Sequence, residues 1–516
     1  MAGTSVGPAH LSSADDRAFF GHPRGLSTLF FTEMWERFSY YGMRAFLILY
    51  MTAAAGVGGL GLKTATAAAI YGTYTSMVYL VSLPGGWIAD RLMGQRRAVL
   101  YGGILIACGH FSLAVPTVAF FYLGLVLIVF GTGLLKPNIS TIVGQLYAAK
   151  DVRRDAGFSI YYMGINLGAL IGPLITGYLA QDERFRGWLS GMGINPNAAW
   201  HWGFGAAGVG MLLGLVQYVL GARALGDAGR DPVAPDDARE FSRLKQRTIL
   251  TVAGSVVAIA AFAVAAYTGA VTISPEAVSN GYGYLLLVIT VAFLGWLFLG
   301  NEWTAAERRR LYVIVVFFLC YALFSSVFEQ AGSTLTLFAD RSSHNVLFGY
   351  AFPSSWYQFA NPFFIIVFAP VLAWLWVQLG TRQPSSPTKF AFGLAGVGLG
   401  FLVLAPAARM AADGTLVSPM WLVGVYFIHT IAELCLSPVG LSSMTKLAPA
   451  RIVSLMMGVW FIGASVGNFL GGVTARFYES MPLARLFFSV ALLPIAAGIV
   501  LFFFRKPLTA MMGDSQ

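Results

Sequence analysis

The chain has 516 residues, of which 57% are apolar and only 11% are charged, and its formal net charge at pH 7 is +10. Soluble domains carry about 25% charged residues, so this composition excludes an ordinary soluble enzyme. Disorder is excluded as well, because 14% of the residues are aromatic and the apolar residues form long runs. The positive charge comes without the interleaved aromatic residues of a nucleic-acid surface, so we predict no nucleic-acid partner. A polytopic membrane protein remains.

Fourteen apolar stretches are long enough to span a bilayer, which takes roughly 20 residues. They lie near residues 26–54, 65–89, 97–116, 118–146, 156–180, 200–222, 247–269, 282–300, 311–339, 350–379, 389–407, 418–446, 452–477 and 483–504. The first 25 residues are polar, so we expect no cleaved signal peptide. Most of the 33 lysines and arginines fall in loops that face the cytoplasm if both termini do, and we predict that orientation.

A polar segment divides the predicted spans into six before it and eight after it. If spans seven and eight form an inserted hairpin, the remaining twelve make two groups of six, as in transporters whose substrate site lies between two halves. The hairpin has almost no ionisable residue in its apolar part, so we predict that it is peripheral. The predicted divisions are a cytoplasmic N-terminal segment (1–25), an N-terminal six-helix bundle (26–222), a cytoplasmic linker (223–246), the hairpin with its connector (247–309), a C-terminal six-helix bundle (310–504) and a cytoplasmic tail (505–516).

Seven ionisable residues lie inside predicted spans, away from the ends. They are Glu33, Glu36, Arg37, Arg44, Lys136, Glu329 and Glu433. A charge at mid-membrane costs roughly 2.5–3.5 kcal/mol on insertion scales, so these groups must pair or face water inside the bundle. Four are acidic and three are basic, so one bound proton makes the set neutral. The count favours a proton-linked transporter, with a static ion-pair network as the alternative.

The first predicted span contains TEMWERFSYYGMRA, and on a helix its polar residues share one stripe. Glu33 and Arg37 are one turn apart, and Glu36 can reach either arginine of the span or a neighbouring helix. A carboxylate beside a guanidinium group stays ionised until that partner leaves, and its proton affinity then rises. A switchable proton site requires this behaviour. The stripe consists of Glu33, Glu36, Arg37, Tyr40, Tyr41 and Arg44.

Two further charged positions indicate the charge of the substrate. Lys136 follows GTGLL, and a desolvated lysine there binds either a substrate carboxylate or a protein glutamate, a competition that couples the two. Glu433, in HTIAELCLSPVG, is suited to an ammonium group and lies in the opposite half from Arg37 and Arg44. A cavity that is positive on one wall and negative on the other fits a short zwitterion such as a peptide.

Several other residues have two interpretations each. Asn166 and Asn361 either contact the backbone of such a ligand or link helices. Trp460 either lines a cavity or only packs. His110 and His429 are interpreted as packed helix residues rather than proton carriers. The three cysteines are far apart, and the sequence has no HExxH or Walker A motif, so we predict no metal site, no cofactor and no ATP-driven transport.

Motifs in both halves resemble the proton-dependent oligopeptide transporter family of the major facilitator superfamily. The resemblance covers about residues 26 to 504 and is most specific in Glu33-x-x-Glu36-Arg37-Phe38. The other motifs are GGWIADRLMGQRR, GTGLLKPNIS, GFSIYYMGINLGAL, FEQAGSTL, QFANP, ELCLSPVGLSSMTKLAP and MMGVWF. The resemblance implies an all-α polytopic membrane protein with the major facilitator fold, in which two six-helix bundles and the inserted hairpin of prokaryotic members give 14 transmembrane helices.

The resemblance also implies roles for single residues. The positions of proton coupling in the family match Glu33, Glu36, Arg37 and Glu329. Glu329 is further implied to form a gating ion pair with Arg44. Animal members carry a histidine in a sequence like AIYHT, whereas this chain has Gly72 in AIYGT, so carboxylates must carry the proton here.

For the substrate, the resemblance implies that Arg37 and Lys136 receive the C-terminal carboxylate of a peptide. Glu433 is implied to receive its N-terminal amine. The positions that line the pocket in the family match Tyr40, Tyr41, Tyr79, Asn166, Asn361 and Trp460.

We therefore predict a symporter of the bacterial inner membrane that imports di- and tripeptides with protons by alternating access, with no obligate protein partner. The main alternative is the same fold and coupling with another solute, such as nitrate or another anion, although Glu433 would repel an anion. A membrane-embedded enzyme is a weaker alternative, because no long loop offers a catalytic domain and the buried charges are spread over both halves.

Overall fold

The structure is a computed structural model that describes residues 16–148, 151–232, 238–269, 274–299, 303–449 and 452–513. Parts of the predicted N-terminal segment, linker, hairpin and C-terminal tail lie outside these residues. The helices of the first half are α1 (Arg24–Thr52), α2 (Thr64–Leu80), α3 (Ser82–Ile88), α4 (Gln95–Leu113), α5 (Val118–Gln145), α6 (Arg154–Gln181), α7 (Glu183–Gly191) and α8 (Ala199–Gly221).

The hairpin consists of α9 (Ala238–Tyr267) and α10 (Pro275–Leu299). The helices of the second half are α11 (Ala305–Phe328), α12 (Thr334–Ser342), α13 (Ala360–Leu379), α14 (Ser386–Met410), α15 (Met420–Leu447), α16 (Val453–Ala475), α17 (Leu483–Phe503) and α18 (Arg505–Met512). A two-stranded antiparallel ribbon of β1 (Val346–Leu347) and β2 (Tyr350–Ala351) follows α12. The predicted fold class is confirmed, whereas the exact domain boundaries stay predictions.

Every predicted span contains a long helix, but two spans are interrupted, and a third, 350–379, begins with β2 and a 3₁₀ turn, Ser354–Phe359, before α13. The second span is divided into α2 and α3, and the stretch 311–339 is divided at a 3₁₀ turn, Glu329–Gly332, into α11 and α12. Within the described residues, ten helical segments are long and apolar enough to cross a membrane. The first helix is not among them, because every window of spanning length in α1 contains at least three of its charged residues.

Small residues let neighbouring helices approach closely, as is common in membrane proteins. In the first half, a Cβ atom added to Gly131 of α5 would lie 2.6 Å from the carbonyl oxygen of Gly102 in α4. Between the halves, a Cβ added to Gly72 of α2 would lie 2.6 Å from the Cα of Gly472 in α16. Backbone contact therefore sets the distance between helices both within and between the halves.

The two halves are in contact from the middle of the bundle to the end that carries the α1–α2 loop, where Thr64 meets Glu479. Ser76 of α2 donates a hydrogen bond to the carbonyl of Ser465 in α16 at 2.6 Å. The amide of Gln181, at the end of α6, donates to Ser354 at 3.1 Å. In the predicted orientation this end faces the outside of the cell, and we call it the outer end.

The second helix of the hairpin, α10, lies at the edge of the bundle, where only 17% of its apolar stretch is buried, and it nevertheless contacts both halves. This helix packs against α2 of the first half and α16 of the second half. The hydroxyl of Tyr282 lies 2.8 Å from that of Ser76 and 3.1 Å from that of Ser465. The lack of ionisable residues gave no sign of these contacts, because serine and tyrosine make them without charge.

Candidate functional site

A cavity of about 260 Å³ lies between the halves near the middle of the bundle. Residues from α1, α2 and α6 line one wall, and residues from α11, α13 and α15 line the other. Ligand sites commonly have roughly 300–1,000 Å³, so the cavity is contracted relative to an ordinary site for a small molecule. The sequence-predicted residues that line it are Tyr41, Arg44, Tyr79, Asn166, Glu329, Asn361 and Glu433.

One ion pair crosses the cavity from half to half. An Nη2 of Arg44 in α1 pairs with the carboxylate of Glu329, the first residue of the 3₁₀ turn after α11. The Nε of Arg44 also donates to the hydroxyl of Tyr71 at 2.6 Å. A Cβ at Gly332 would lie 1.8 Å from that hydroxyl, so only glycine leaves room for the pair. The geometry brings together the two residues predicted to form the gating pair.

The carboxylate of Glu433 lies on the second-half wall and is held by an amide. Asn361 donates to Oε2 of Glu433 at 2.9 Å and to the hydroxyl of Thr430 at 3.1 Å. Among the ion pairs of the described residues, none involves Glu433. The cavity thus contains one carboxylate paired with arginine and one that is open to a cationic ligand.

A second charged cluster lies on α1, closer to its N-terminus, and consists of Glu33, Glu36 and Arg37. The three side chains are at most 6% exposed. The Nε of Arg37 donates to Glu33 at 2.8 Å and lies 3.1 Å from an oxygen of Glu36. In the described part of the chain, neither oxygen of Glu36 accepts a hydrogen bond of good geometry. A buried carboxylate with unfilled acceptor sites is costly, so this position favours a group that can take up a proton.

Lys136 of α5 lies beside the cavity but does not line it. Its Nζ is 3.7 Å from the centroid of the Tyr79 ring, and Tyr79 is a lining residue. The ring therefore stands between the ammonium group and the cavity. Of the predicted cationic wall of Arg37, Arg44 and Lys136, only Arg44 reaches the cavity in this conformation.

Of three other residues predicted to line the pocket, two lie behind its wall and one lines it. Tyr40 is 2% exposed, and it does not line the cavity. Trp460 is also behind the wall, stacked on the lining residue Tyr321 with ring centroids 3.6 Å apart. Asn166 does line the cavity, and its amide donates to the carbonyl of Tyr162 within α6 at 3.0 Å.

Sequence reasoning missed most of the uncharged lining. In a transmembrane span, an aromatic residue facing a cavity has the same local sequence as one facing lipid, so spacing gave no signal. The charge of Arg44 was visible, but its partner Tyr71 was not. The missed residues with polar side chains in the wall are Tyr162, Tyr321, Ser325, Gln358, Tyr426, His429 and Ser437.

A sequence model of the POT family matches residues 96–490. The chain is 42% identical over 493 residues to the "Uncharacterized transporter YclF" of Bacillus subtilis, covering 95% of each chain. It is 38% identical to the "Peptide transporter YePEPT" of Yersinia enterocolitica, covering 97% of each. It is also 38% identical to a "Di-/tripeptide transporter" of Lactococcus lactis, covering 97% of this chain and 98% of the relative.

Solved structures give the same result. A crystal structure of a peptide transporter POT in complex with sulfate is 41% identical, superposes with a TM-score of 0.87, and covers 97% of this chain and 98% of that one. A POT family transporter in complex with 5-aminolevulinic acid is 36% identical, with a TM-score of 0.86, and covers 96% of this chain and 99% of that one. Both likenesses extend over the two halves and the hairpin.

Proposed function

The chain belongs to the POT family and is a peptide transporter, and from this premise we propose that it is a proton-coupled symporter that imports di- and tripeptides. The observation that carries the proposal is the cavity between the halves, in which Arg44 and Glu329 pair across the seam while Glu433 has no cationic partner among the described residues. A transporter of zwitterions that alternates between two open states needs such a site between two mobile halves.

Glu433 supports the peptide specificity of the proposal. A free ammonium group entering the cavity pairs with its carboxylate, which Asn361 already orients by a hydrogen bond of 2.9 Å. For the peptide carboxylate we propose Lys136 and Arg37, and movement of the Tyr79 ring would give access to the ammonium group of Lys136. The contracted cavity must expand to admit a ligand, and displacement of this ring supplies part of that expansion.

The charged groups support the coupling to protons. Protonation of Glu329 removes its charge and weakens its attraction to Arg44, which loosens the contact between the halves. The cluster of Glu33, Glu36 and Arg37 supplies a second place for a proton, because Glu36 has acceptor atoms without hydrogen bonds. Carboxylates thus serve as the proton carriers, and no cofactor takes part in the proposal.

The membrane and orientation complete the proposal. We place the protein in the bacterial inner membrane with both termini in the cytoplasm, from the distribution of lysine and arginine in its loops. The outer end, where Gln181 meets Ser354, then faces the periplasm and is closed. In this state the protein would release peptide towards the cytoplasm.

Uptake by liposomes tests the proposal. The full chain is reconstituted, and labelled dialanine is followed with and without an inward proton gradient. We expect accumulation above equilibrium only when protons are driven inward. Equilibration that ignores the gradient would contradict proton coupling, and uptake of nitrate in place of dialanine would favour the anion alternative. Recovery of dialanine intact inside the vesicles separates transport from hydrolysis.

A further inference from the structure

The second helix of the inserted hairpin carries a polar face that points into the bundle. Glu276, Ser279 and Tyr282 follow one another at intervals of three residues, which places them along one side of α10. Tyr284, on another side, is 72% exposed and faces away from the bundle. Polar side chains that face other helices within a membrane act as specific contacts between them.

This face is seated on α2 of the first half. The three contacts are Thr66 with the carboxylate of Glu276, Thr73 with Ser279 at 2.8 Å between hydroxyl oxygens, and Ser76 with the hydroxyl of Tyr282 at 2.8 Å. All three residues of α2 have short side chains, which reach a partner only when its helix is adjacent. The positions ascend together in both helices, so α10 runs parallel to α2 along nearly two of its turns.

Longer side chains connect α10 to α16 of the second half. Arg476, at the C-cap of α16, donates to the hydroxyl of Ser279 at 2.5 Å. The ring of Phe469 packs edge-on against Tyr282, with centroids 5.7 Å apart. A Cβ at Gly283 would lie 2.5 Å from this phenylalanine ring, so glycine permits the approach. The backbone of α10 therefore lies close to α2 over a longer stretch than to α16, which it reaches mainly through these side chains.

The hydroxyl of Tyr282 lies where the two halves meet. Ser76 donates to the carbonyl of Ser465 at 2.6 Å, and Ser465 donates to the carbonyl of Ser76 at 3.0 Å. Tyr282 is within 3.1 Å of both serine hydroxyls. Three helices therefore meet at one hydrogen-bonded point on the seam that opens if the outer ends of the halves separate.

We propose that α10 is a clamp that moves with the first half and holds the outer end closed through its contacts with α16. This inference rests on the proposed alternating access, because a clamp matters only if the seam opens. Opening breaks the bonds of Arg476 and Ser465 to α10 and withdraws the ring of Phe469, while the three contacts with α2 persist. The hairpin thereby sets the balance between the closed and open outer end without touching the substrate.

Spin-label distances across the outer end test the clamp. Labels are attached to Lys63→Cys and Ser480→Cys, both exposed in loops on opposite sides of the seam, after the three native cysteines are replaced by serine. The variant is the double substitution Ser279→Ala with Tyr282→Phe, in the full chain reconstituted in liposomes. Tyr284→Phe is the matched control, because it removes the same hydroxyl from the exposed side of the same helix.

We expect the double variant to lower the ratio of closed to open molecules about tenfold, at roughly threefold for each of the two hydrogen bonds to α16 that it removes, those of Ser279 with Arg476 and of Tyr282 with Ser465. The serine pair of the seam keeps its own bonds in this variant, so the loss is confined to α10. Distance distributions equal to those of Tyr284→Phe would overturn the clamp. If the double variant does not fold, Gly283→Leu, which wedges α10 away from Phe469, is judged by the same criterion.

Dialanine uptake by the unsubstituted chain is measured in the same vesicles. Absence of uptake would overturn the proposed function, and the spin-label distances would then test the clamp separately. Normal uptake together with unchanged distances would overturn only the clamp.

Discussion

Two charged clusters on α1 differ in what holds them together. Glu33, Glu36 and Arg37 pair within a single helix and are almost fully buried. Arg44, two turns further along, pairs with Glu329 of the other half. A rigid rotation of one half against the other leaves the first cluster intact and must separate the second pair. The first cluster can therefore respond to a proton or ligand in place, whereas the second reports the relative position of the halves.

Removing Arg44 should have the largest effect, because it abolishes the ion pair between the halves. Arg44→Ala leaves Glu329 without its cation, and loss of one partner of a buried ion pair costs about 3–5 kcal/mol. We expect proton-driven dialanine accumulation in liposomes to fall at least about a hundredfold. Arg409→Ala, at an exposed arginine, is the control. Uptake within threefold of the control would show that the pair is dispensable.

Neutralising Glu36 should separate the two clusters by function. Glu36→Gln keeps the shape of the side chain and cannot take up a proton, so we expect proton-driven accumulation to fall about tenfold or more. Exchange of labelled for unlabelled dialanine at equal pH should change less than threefold, because it needs no net proton movement. Glu183→Gln, at an exposed position of α7, is the control. Equal loss in both assays would mean that Glu36 is structural.

Neutralising Glu433 tests a carboxylate that, unlike those of the two clusters, has no arginine partner in the described structure. A charge-assisted hydrogen bond is worth about 1.5–3 kcal/mol, so Glu433→Gln should weaken binding of dialanine about ten- to a hundredfold. Binding of N-acetyl-dialanine, which has no ammonium group, should change little. Competition against labelled substrate measures both peptides in the same preparation. Equal weakening of the two would remove the assigned role in binding the amine.

The smallest effect is expected at the outer end, where a third charged contact is exposed to solvent. A hydrogen bond from Thr64 and the nearby Arg341 lower the pKa of Glu479. A carboxyl whose pKa is lowered in the closed state stabilises that state above its ordinary pKa, and the contribution is lost as the pH falls through the lowered value. Acidification outside should therefore favour opening.

Solvent screens this exposed pair, so we expect a change of less than about threefold in the closed fraction. The same pair of spin labels, followed between pH 7 and pH 3, measures it. Glu479→Gln should remove the pH dependence of this step. A closed fraction that rises as the pH falls would contradict the sign of the effect.

The sequence predicted the charged part of the site better than the rest. Glu433 and Glu329 were identifiable because a charge within an apolar span is costly wherever it lies, and this cost depends on sequence alone. The pairing of Arg44 with Glu329 came from the resemblance, since their separation in the chain gives no information about contact. The position of Lys136 behind Tyr79 depends on a side-chain rotation, which no periodicity records.

The place of α10 could not be predicted for a different reason. Its contacts rely on Ser279 and Tyr282, residue types that are ordinary in transmembrane helices, and on the accommodation provided by Gly283. The energy of each contact is small, and the contacts form only because Ser76 and Ser465 of two other helices lie within hydrogen-bond distance of α10. This arrangement is a property of the assembled bundle.

Arg44 has two acceptors on the same residue of the opposite half. One Nη2 meets the carboxylate of Glu329 and also lies 3.3 Å from its backbone carbonyl oxygen. Protonation neutralises the carboxylate, but the backbone carbonyl does not titrate. Protonation alone therefore leaves the hydrogen bond from Arg44 to the backbone carbonyl of Glu329 in place. Breaking that bond requires a movement of the backbone, such as the expansion of the cavity when a peptide enters. The gate would in this way open when a proton and a peptide are both bound, and not with a proton alone, which limits the uncoupled entry of protons into the cell.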